Sequence, residues 1–254
     1  MLHRTLRERF LRTHLHRVSG RVLELGPGPG RFTPVLREAT RGRVVAVDLS
    51  VASLRSARRR VGLRSDPVPV DWIEGAAEHL PLVSRSFDAV VALGYIVCFA
   101  GPDGPALLRE IARVTRRHGT VVLDFSSPVS ATQEFFRVAV AGRLLPRVLR
   151  RPGYYFVDRV LEEGFQPCAP ERWGNFEFRF YTVPEAHEAL RRAGFRVRDT
   201  MSVAPITAHD NRIAASARRS ERTWESLLRV EERAGRRSGT LETGHGFVVA
   251  AVRN

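Results

Sequence analysis

The stretch RVLELGPGPGRF, residues Arg21 to Phe32, decides how this chain folds. Val22 to Leu25 is an apolar strand that runs into glycines at positions 26, 28 and 30. The spacing predicts a strand, a tight turn and the start of a helix. Glycine suits such a turn because it takes positive φ without steric cost and lets a ligand approach the backbone with no Cβ in the way. The free amides of the following helix N-terminus then face that ligand.

A glycine run of this kind, with an acid about 20 residues later, is also found in dinucleotide-binding folds. Asp48 satisfies either reading. Glu24, at the strand end, suits a positively charged methionine moiety and would repel a pyrophosphate. Arg31 occupies the third glycine position of the dinucleotide pattern. With these residues the chain resembles the class I S-adenosylmethionine-dependent methyltransferases, whose first motif is an acid-x-Gly-x-Gly-x-Gly loop after strand one.

That resemblance implies an α/β fold: a doubly wound, seven-stranded, mostly parallel sheet whose last strand is antiparallel, with helical lid insertions. It implies S-adenosyl-L-methionine as cofactor and no metal. Carried over residue by residue, the cofactor set is Glu24, Gly26, Gly28, Gly30, Asp48, Leu49, Ala76, Ala77, Glu78, Leu93 and Gly94. Asp48 would accept the ribose hydroxyls. The segment GAAEHLPL, residues 75 to 82, resembles the family's adenine loop but has Ala76 where the family commonly has Asp. Ala77 is therefore expected to keep the backbone contact, leaving the adenine amino group to Glu78 or water.

Outward from the glycine loop, Leu2, Leu6, Phe10, Leu11 and Leu15 recur at helical spacing with arginines between them,. In the family such a leading helix lies across the cofactor, which brings His14 and His16 into consideration against a plain solvated face. Val44 to Val47, Val68 to Ile73, Phe87 to Leu93 and Thr120 to Phe125 read as strands, with helices over 52–61 and 105–114. RRHG, residues 116 to 119, reads as a turn. A helix is expected over 133–151, broken at Pro146, and a short strand through Phe176, Phe178 and Phe180. Residues 184–193 form a helix stopped by Gly194, before strand six. The chain divides as a single domain: a leading helix (1–19), a cofactor-binding core (20–125), a lid insertion (126–181), the end of the core sheet (182–201 and 245–254) and a second insertion (202–244).

The 254 residues, 43% hydrophobic and 27% charged, suit one soluble α/β domain,. The N-terminus lacks a signal peptide's apolar core, and no run is long enough to span a membrane, so a cytoplasmic protein is expected. Cys98 and Cys168 form no metal-ligand spacing and read as buried thiols. All 41 basic residues are arginine, and the net charge is +14. Such an excess attracts anions, including nucleic acid.

Methyl transfer from a sulfonium is an in-line displacement that needs a base only when the acceptor must lose a proton. The topology puts Tyr95, His209 and His245 on the cofactor side, together with Tyr154, Tyr155 and Trp173 from the first insertion. His209 beside Asp210 reads as a base with an orienting partner, or as a surface pair. Tyr95 packs or touches substrate, and His245 reads as a base or as a turn residue between two glycines. The expected function is methyl transfer to an O, N or C atom of a small molecule, such as a secondary metabolite, or of a peptide. The alternatives are an RNA methyltransferase, or a cofactor-binding protein of the same fold without transferase activity. GYIVC after strand four lacks the base-amine signature, and aromatics are sparse beside the arginine clusters (143, 147, 150, 151; 218, 219, 222, 229, 233, 236, 237), so nucleic acid is the less favoured partner,.

Overall fold

Continuous apolar runs make strands that are covered on both faces. The computed structural model, which describes residues 2–40, 42–62, 69–142, 154–166, 177–208 and 210–254, assembles those runs into one sheet. Its strands are β1 (Val22–Leu25), β2 (Val44–Asp48), β3 (Val70–Glu74), β4 (Phe87–Ala92), β5 (Thr115–Phe125), β8 (Phe195–Ser202) and β9 (Phe247–Arg253). A separate pair, β6 (Phe165–Gln166) and β7 (Phe178–Arg179), belongs to the first insertion.

The sheet order is β3-β2-β1-β4-β5-β9-β8. β1 lies parallel to both β2 and β4, with Val22 opposite Val44 on one side and Ala89 on the other. The chain winds outward from β1 in one direction and then restarts beside it as β4. A crevice opens where the winding reverses, at the carboxyl ends of β1 and β4. β9 runs antiparallel to β5 and β8, pairing Leu123 with Val249 and Val249 with Thr200. The seven-stranded, mostly parallel sheet expected from the sequence is thus present.

Helices cover both faces. Helix α1 (Leu2–Leu15) and α2 (Thr33–Ala39) pack with Val22, Val44, Val122 and Val248 on one side. All five apolar positions of the α1 stripe are buried, and so is Arg7. On the other side α5 (Gly104–Val114) and α8 (Val183–Arg192) pack on Leu23, Val90, Val121 and Val249. Thr182 and Glu185 close a reciprocal capping box at the start of α8, which fixes its first turn,. α3 (Val51–Gly62), the short α4 (Ile96–Phe99), α6 (Pro128–Ala141), α7 (Tyr154–Glu162), α9 (Asn211–Ala217) and α10 (Glu221–Gly235) are the other α-helices among the described residues.

Three expectations need correcting. The turn at 116–119 is a bulge inside β5. Phe87 pairs with Thr115 and Ala89 with Thr120, so β5 loops out extra residues, with His118 at φ 63,. Gly119 is required there because a Cβ would lie 2.7 Å from Thr115 Cγ2. The helix expected from Gln133 begins earlier, at Pro128; Pro146 and residues up to 151 lie outside the described residues. The strand expected from Val68 begins at Val70, and Val68, Phe176 and Cys168 are outside the described residues too. Cys98 is buried, and burial pushes its thiol upward, away from reactivity,. Among the described residues no helix is long and apolar enough to cross a membrane.

Candidate functional site

The glycine loop leaves β1 with Gly26, Gly28 and Gly30 all at positive φ, 60°, 51° and 74°. Each has its own reason. A Cβ on Gly30 would lie 3.0 Å from Ala57 Cα, so this glycine lets α3 approach. A Cβ on Gly26 would lie 2.2 Å from Ile96 Cδ1. A Cβ on Gly28 would meet nothing within 4 Å, so the space above Gly28 is left open. The Gly26 amide donates to the Val47 carbonyl (2.8 Å), which ties the loop to β2.

Asp48 ends β2 directly below. Its Oδ2 accepts from the Gly28 amide at 3.1 Å and its Oδ1 from the Ser50 amide at 2.8 Å. These bonds orient the carboxylate and leave lone pairs for a ligand. The crevice here is a cleft of about 390 Å³. Of the expected cofactor residues, Gly26, Gly28, Asp48, Leu49, Ala77, Glu78, Leu93 and Gly94 line it. Leu49 is 69% exposed, an apolar side chain standing in its mouth. Glu24, Gly30 and Ala76 are not among its lining residues: Glu24 is buried in β1, Gly30 packs on α3, and the Ala76 carbonyl accepts from the His79 amide (3.2 Å) within the adenine-type loop. The Leu80 amide in turn donates to Glu110 of α5 at 2.9 Å, anchoring that loop.

Glu24 lies beneath the loop, 3% exposed. Its Oε2 has no hydrogen-bond partner and is the one carboxylate oxygen so placed among the described residues. Burial pushes this carboxyl up to about 7; the Thr33 hydroxyl works the other way, and the Asp48 charge adds to the rise,.

The acceptor-side candidates are placed differently from one another. Tyr95 follows Gly94 at the cleft, with φ 64, and its hydroxyl donates to the His245 carbonyl (2.6 Å) and accepts from Arg7 (2.9 Å). Burial pushes that hydroxyl above its ordinary range, so it is a neutral donor. The His245 ring packs against His3 with centroids 5.1 Å apart. Burial, with the charges of Arg7 and Arg31, lowers His3 to about 4. His209 and Trp173 lie outside the described residues, as do the side chains of Tyr154 and Tyr155. Asp210 caps α9 through the Arg212 amide and forks with the Arg212 guanidinium at 2.7 Å. His14 pairs with Asp199 (3.0 Å) and His16 with the Thr13 carbonyl (2.8 Å), both structural contacts.

Sequence reasoning overlooked Arg7 and Asp124, which are buried together behind Tyr95. The signal was a charge inside an apolar pattern: Arg7 within the buried stripe of α1, Asp124 within VVLDF. A wider groove of about 1020 Å³ lies between α1 and α10. It is crossed by Arg9 bonded to Glu225 and Glu232 and contains no glycine loop.

Residues 23–123 match a family model described as a methyltransferase domain. The chain is 34% identical over 120 residues to the 2-phytyl-1,4-naphtoquinone methyltransferase of Thermosynechococcus vestitus, covering 46% of this chain and 51% of that protein. It is 37% identical over 134 residues to the demethylmenaquinone methyltransferase of Mycobacterium marinum, covering 51% and 52%. The chain thus spans about half the length of the curated relatives it matches. A crystal structure of an S-adenosylmethionine-dependent methyltransferase from Mesorhizobium loti superimposes with a TM-score of 0.59 at 19% identity, covering 96% of each chain. At that identity the likeness is one of fold.

Proposed function

We propose, from the match of residues 23–123 to a methyltransferase domain and from the cleft beside the glycine loop, that the protein moves a methyl group from S-adenosylmethionine to a small-molecule acceptor. The observation that carries this reading is the glycine loop locked to Asp48 at the mouth of an otherwise open cleft. The residues present fit the cofactor. Asp48 offers lone pairs to a ribose, the open face of Gly28 admits a ligand against the backbone, and Ala77 and Glu78 border the adenine end. Glu24 supplies a buried carboxylate oxygen still lacking a partner, which suits the methionine ammonium,.

When bound, the cofactor supplies an electrophilic methyl on a positively charged sulfur. This chain's residues then have to hold the two reactants in line and keep water out, an effect worth about 7 to 11 kcal/mol when the geometry is met. Leu93, Ile96, Phe99 and Ala100 make an apolar wall on the acceptor side, and Phe99 is 43% exposed. This wall, with two relatives named as quinone methyltransferases, supports an apolar, aromatic acceptor. His245 and His209 are the candidates for a proton-accepting role; Tyr95 is better suited to holding the wall. A small acceptor in the cytoplasm accords better than nucleic acid with the paired arginines of the second insertion. Arg212, Arg229 and Arg236 bond Asp210, Glu225 and Asp199, and Arg218 lies over the Trp224 ring. Arg143, Arg147, Arg150 and Arg151 fall outside the described residues.

Calorimetry with S-adenosylmethionine, its homocysteine product and a nicotinamide dinucleotide tests the cofactor. Binding of the first two alone is expected, and tight nicotinamide binding overturns the reading. Methyl-labelled cofactor incubated with a panel of hydroquinones and with cellular RNA tests the acceptor. Label entering RNA alone overturns the small-molecule assignment.

A further inference from the structure

Arg7 reaches three elements far apart in the chain. Its Nε donates to Asp124 Oδ2 at 3.0 Å, and its Nη2 to the Tyr95 hydroxyl at 2.9 Å and the His245 carbonyl at 3.0 Å. The other carboxylate oxygen, Asp124 Oδ1, accepts from the amides of Gly94 (3.0 Å) and Tyr95 (2.7 Å). One buried carboxylate therefore grips α1 with one oxygen and the Gly94–Tyr95 corner with the other.

That corner is strained. Tyr95 sits in the left-handed region, φ 64 and ψ 31, which a residue with a side chain occupies only when its surroundings impose it,. What the corner accomplishes is visible one residue on, at Ile96. Its side chain abuts Gly26 of the glycine loop, and Gly94 and Ile96 both wall the cleft. A physical chain thus runs from Arg7 through Asp124 and the Tyr95 backbone to Ile96 and the glycine loop.

We infer that Arg7 is a positioning residue for the cleft: through Asp124 it holds the Gly94–Tyr95 corner in its left-handed form, so the docking of α1 and the binding of cofactor are coupled. The binding half rests on the cofactor assignment above. Coupling of this kind is reciprocal, so a bound cofactor tightens α1 by the same factor by which docked α1 tightens the cofactor.

Hydrogen exchange and calorimetry on Arg7→Met, Arg7→Lys and Tyr95→Phe test the inference, with Arg9→Met as control. Arg9 lies on the same helix but bonds Glu225 and Glu232, away from the corner. In the free protein, Arg7→Met should speed exchange of the Gly94 and Tyr95 amides tenfold or more relative to β2, and Arg9→Met less than twofold. S-adenosylhomocysteine should bind Arg7→Met at least tenfold more weakly, Arg7→Lys intermediately and Arg9→Met within twofold of wild type. In the wild type, the ligand should slow exchange in α1. Tyr95→Phe keeps both amide bonds to Asp124 and should stay within threefold of wild type; should Arg7→Met fail to fold, Arg7→Lys decides, with a three- to tenfold weaker affinity expected. Unchanged exchange at Gly94 and Tyr95 overturns the inference, as does an equal affinity loss in the Arg9 control. If the wild type binds no S-adenosylhomocysteine, the cofactor assignment fails instead, and the exchange result decides the role of Arg7 by itself.

Discussion

The Gly28 amide and Asp48 Oδ2 are hydrogen-bonded at 3.1 Å, so the middle of the glycine loop and the acid ending β2 are locked together before any ligand arrives. Asp48→Ala removes both this brace and the charge-assisted bonds expected to ribose. The variant should bind S-adenosylmethionine about 2 kcal/mol more weakly, with Asp48→Asn falling between. Calorimetry reads the loss; an unchanged affinity would separate Asp48 from the cofactor.

Glu24 makes the affinity depend on pH. Its carboxyl, normally at 4.5, is pushed up to about 7 in the fold, and a ligand ammonium prefers the ionised form. Binding should tighten about tenfold from pH 6 to pH 8, as the fraction ionised rises, and Glu24→Gln should flatten that profile. Stability moves oppositely. A raised folded-state value favours folding with the proton on, so this contribution is complete below about pH 4.5 and is lost as pH rises through 7, on the order of 3 kcal/mol. Titrations of wild type showing a flat affinity profile would remove Glu24 from the site.

Gly28 and Gly30 should respond differently to alanine, although both have positive φ. At Gly30 the new methyl meets Ala57 Cα at 3.0 Å, and the fold should lose about 1 to 3 kcal/mol. At Gly28 the methyl meets nothing in the protein, so stability should fall by only about 1 kcal/mol while cofactor affinity drops more than tenfold. Denaturant unfolding beside calorimetry distinguishes the two; equal losses in both measurements would contradict the assignment.

Arg7→Met leaves the Asp124 carboxylate buried, its side chain 0% exposed. Stranding one member of a buried pair costs about 3 to 5 kcal/mol. The double variant Arg7→Met, Asp124→Asn should be less destabilised than the sum of its two single variants, because it removes the stranded charge. A cycle measured by urea unfolding would show a coupling near zero if the pair were inconsequential.

The sheet was legible because its central strands are unbroken apolar runs, and the glycine loop because positive φ and a close helix contact select glycine almost uniquely. The bulge in β5 was read as a turn since RRHG offers the same chemistry to both: a glycine, and a histidine able to adopt φ 63. Arg7 and Asp124 each carried a local signal, but their pairing did not. They are 117 positions apart, and nothing local tells a buried charge which partner it will meet. At Asp210 the structure shows the α9 cap and the pair with Arg212, while its neighbour His209 lies outside the described residues.

The place of β9 between β5 and β8 has a consequence for how the chain reaches its native form. β8 is complete before β9 exists during synthesis, yet its hydrogen-bonded partner in the sheet is β9. Until residues 247–253 arrive, β8 has no strand partner among the described residues, and the edge of β5 stays open. Sheet closure is therefore a late, long-range event that joins residues near 120 to residues near 250, the kind of pairing that slows folding and leaves an unpaired edge exposed meanwhile.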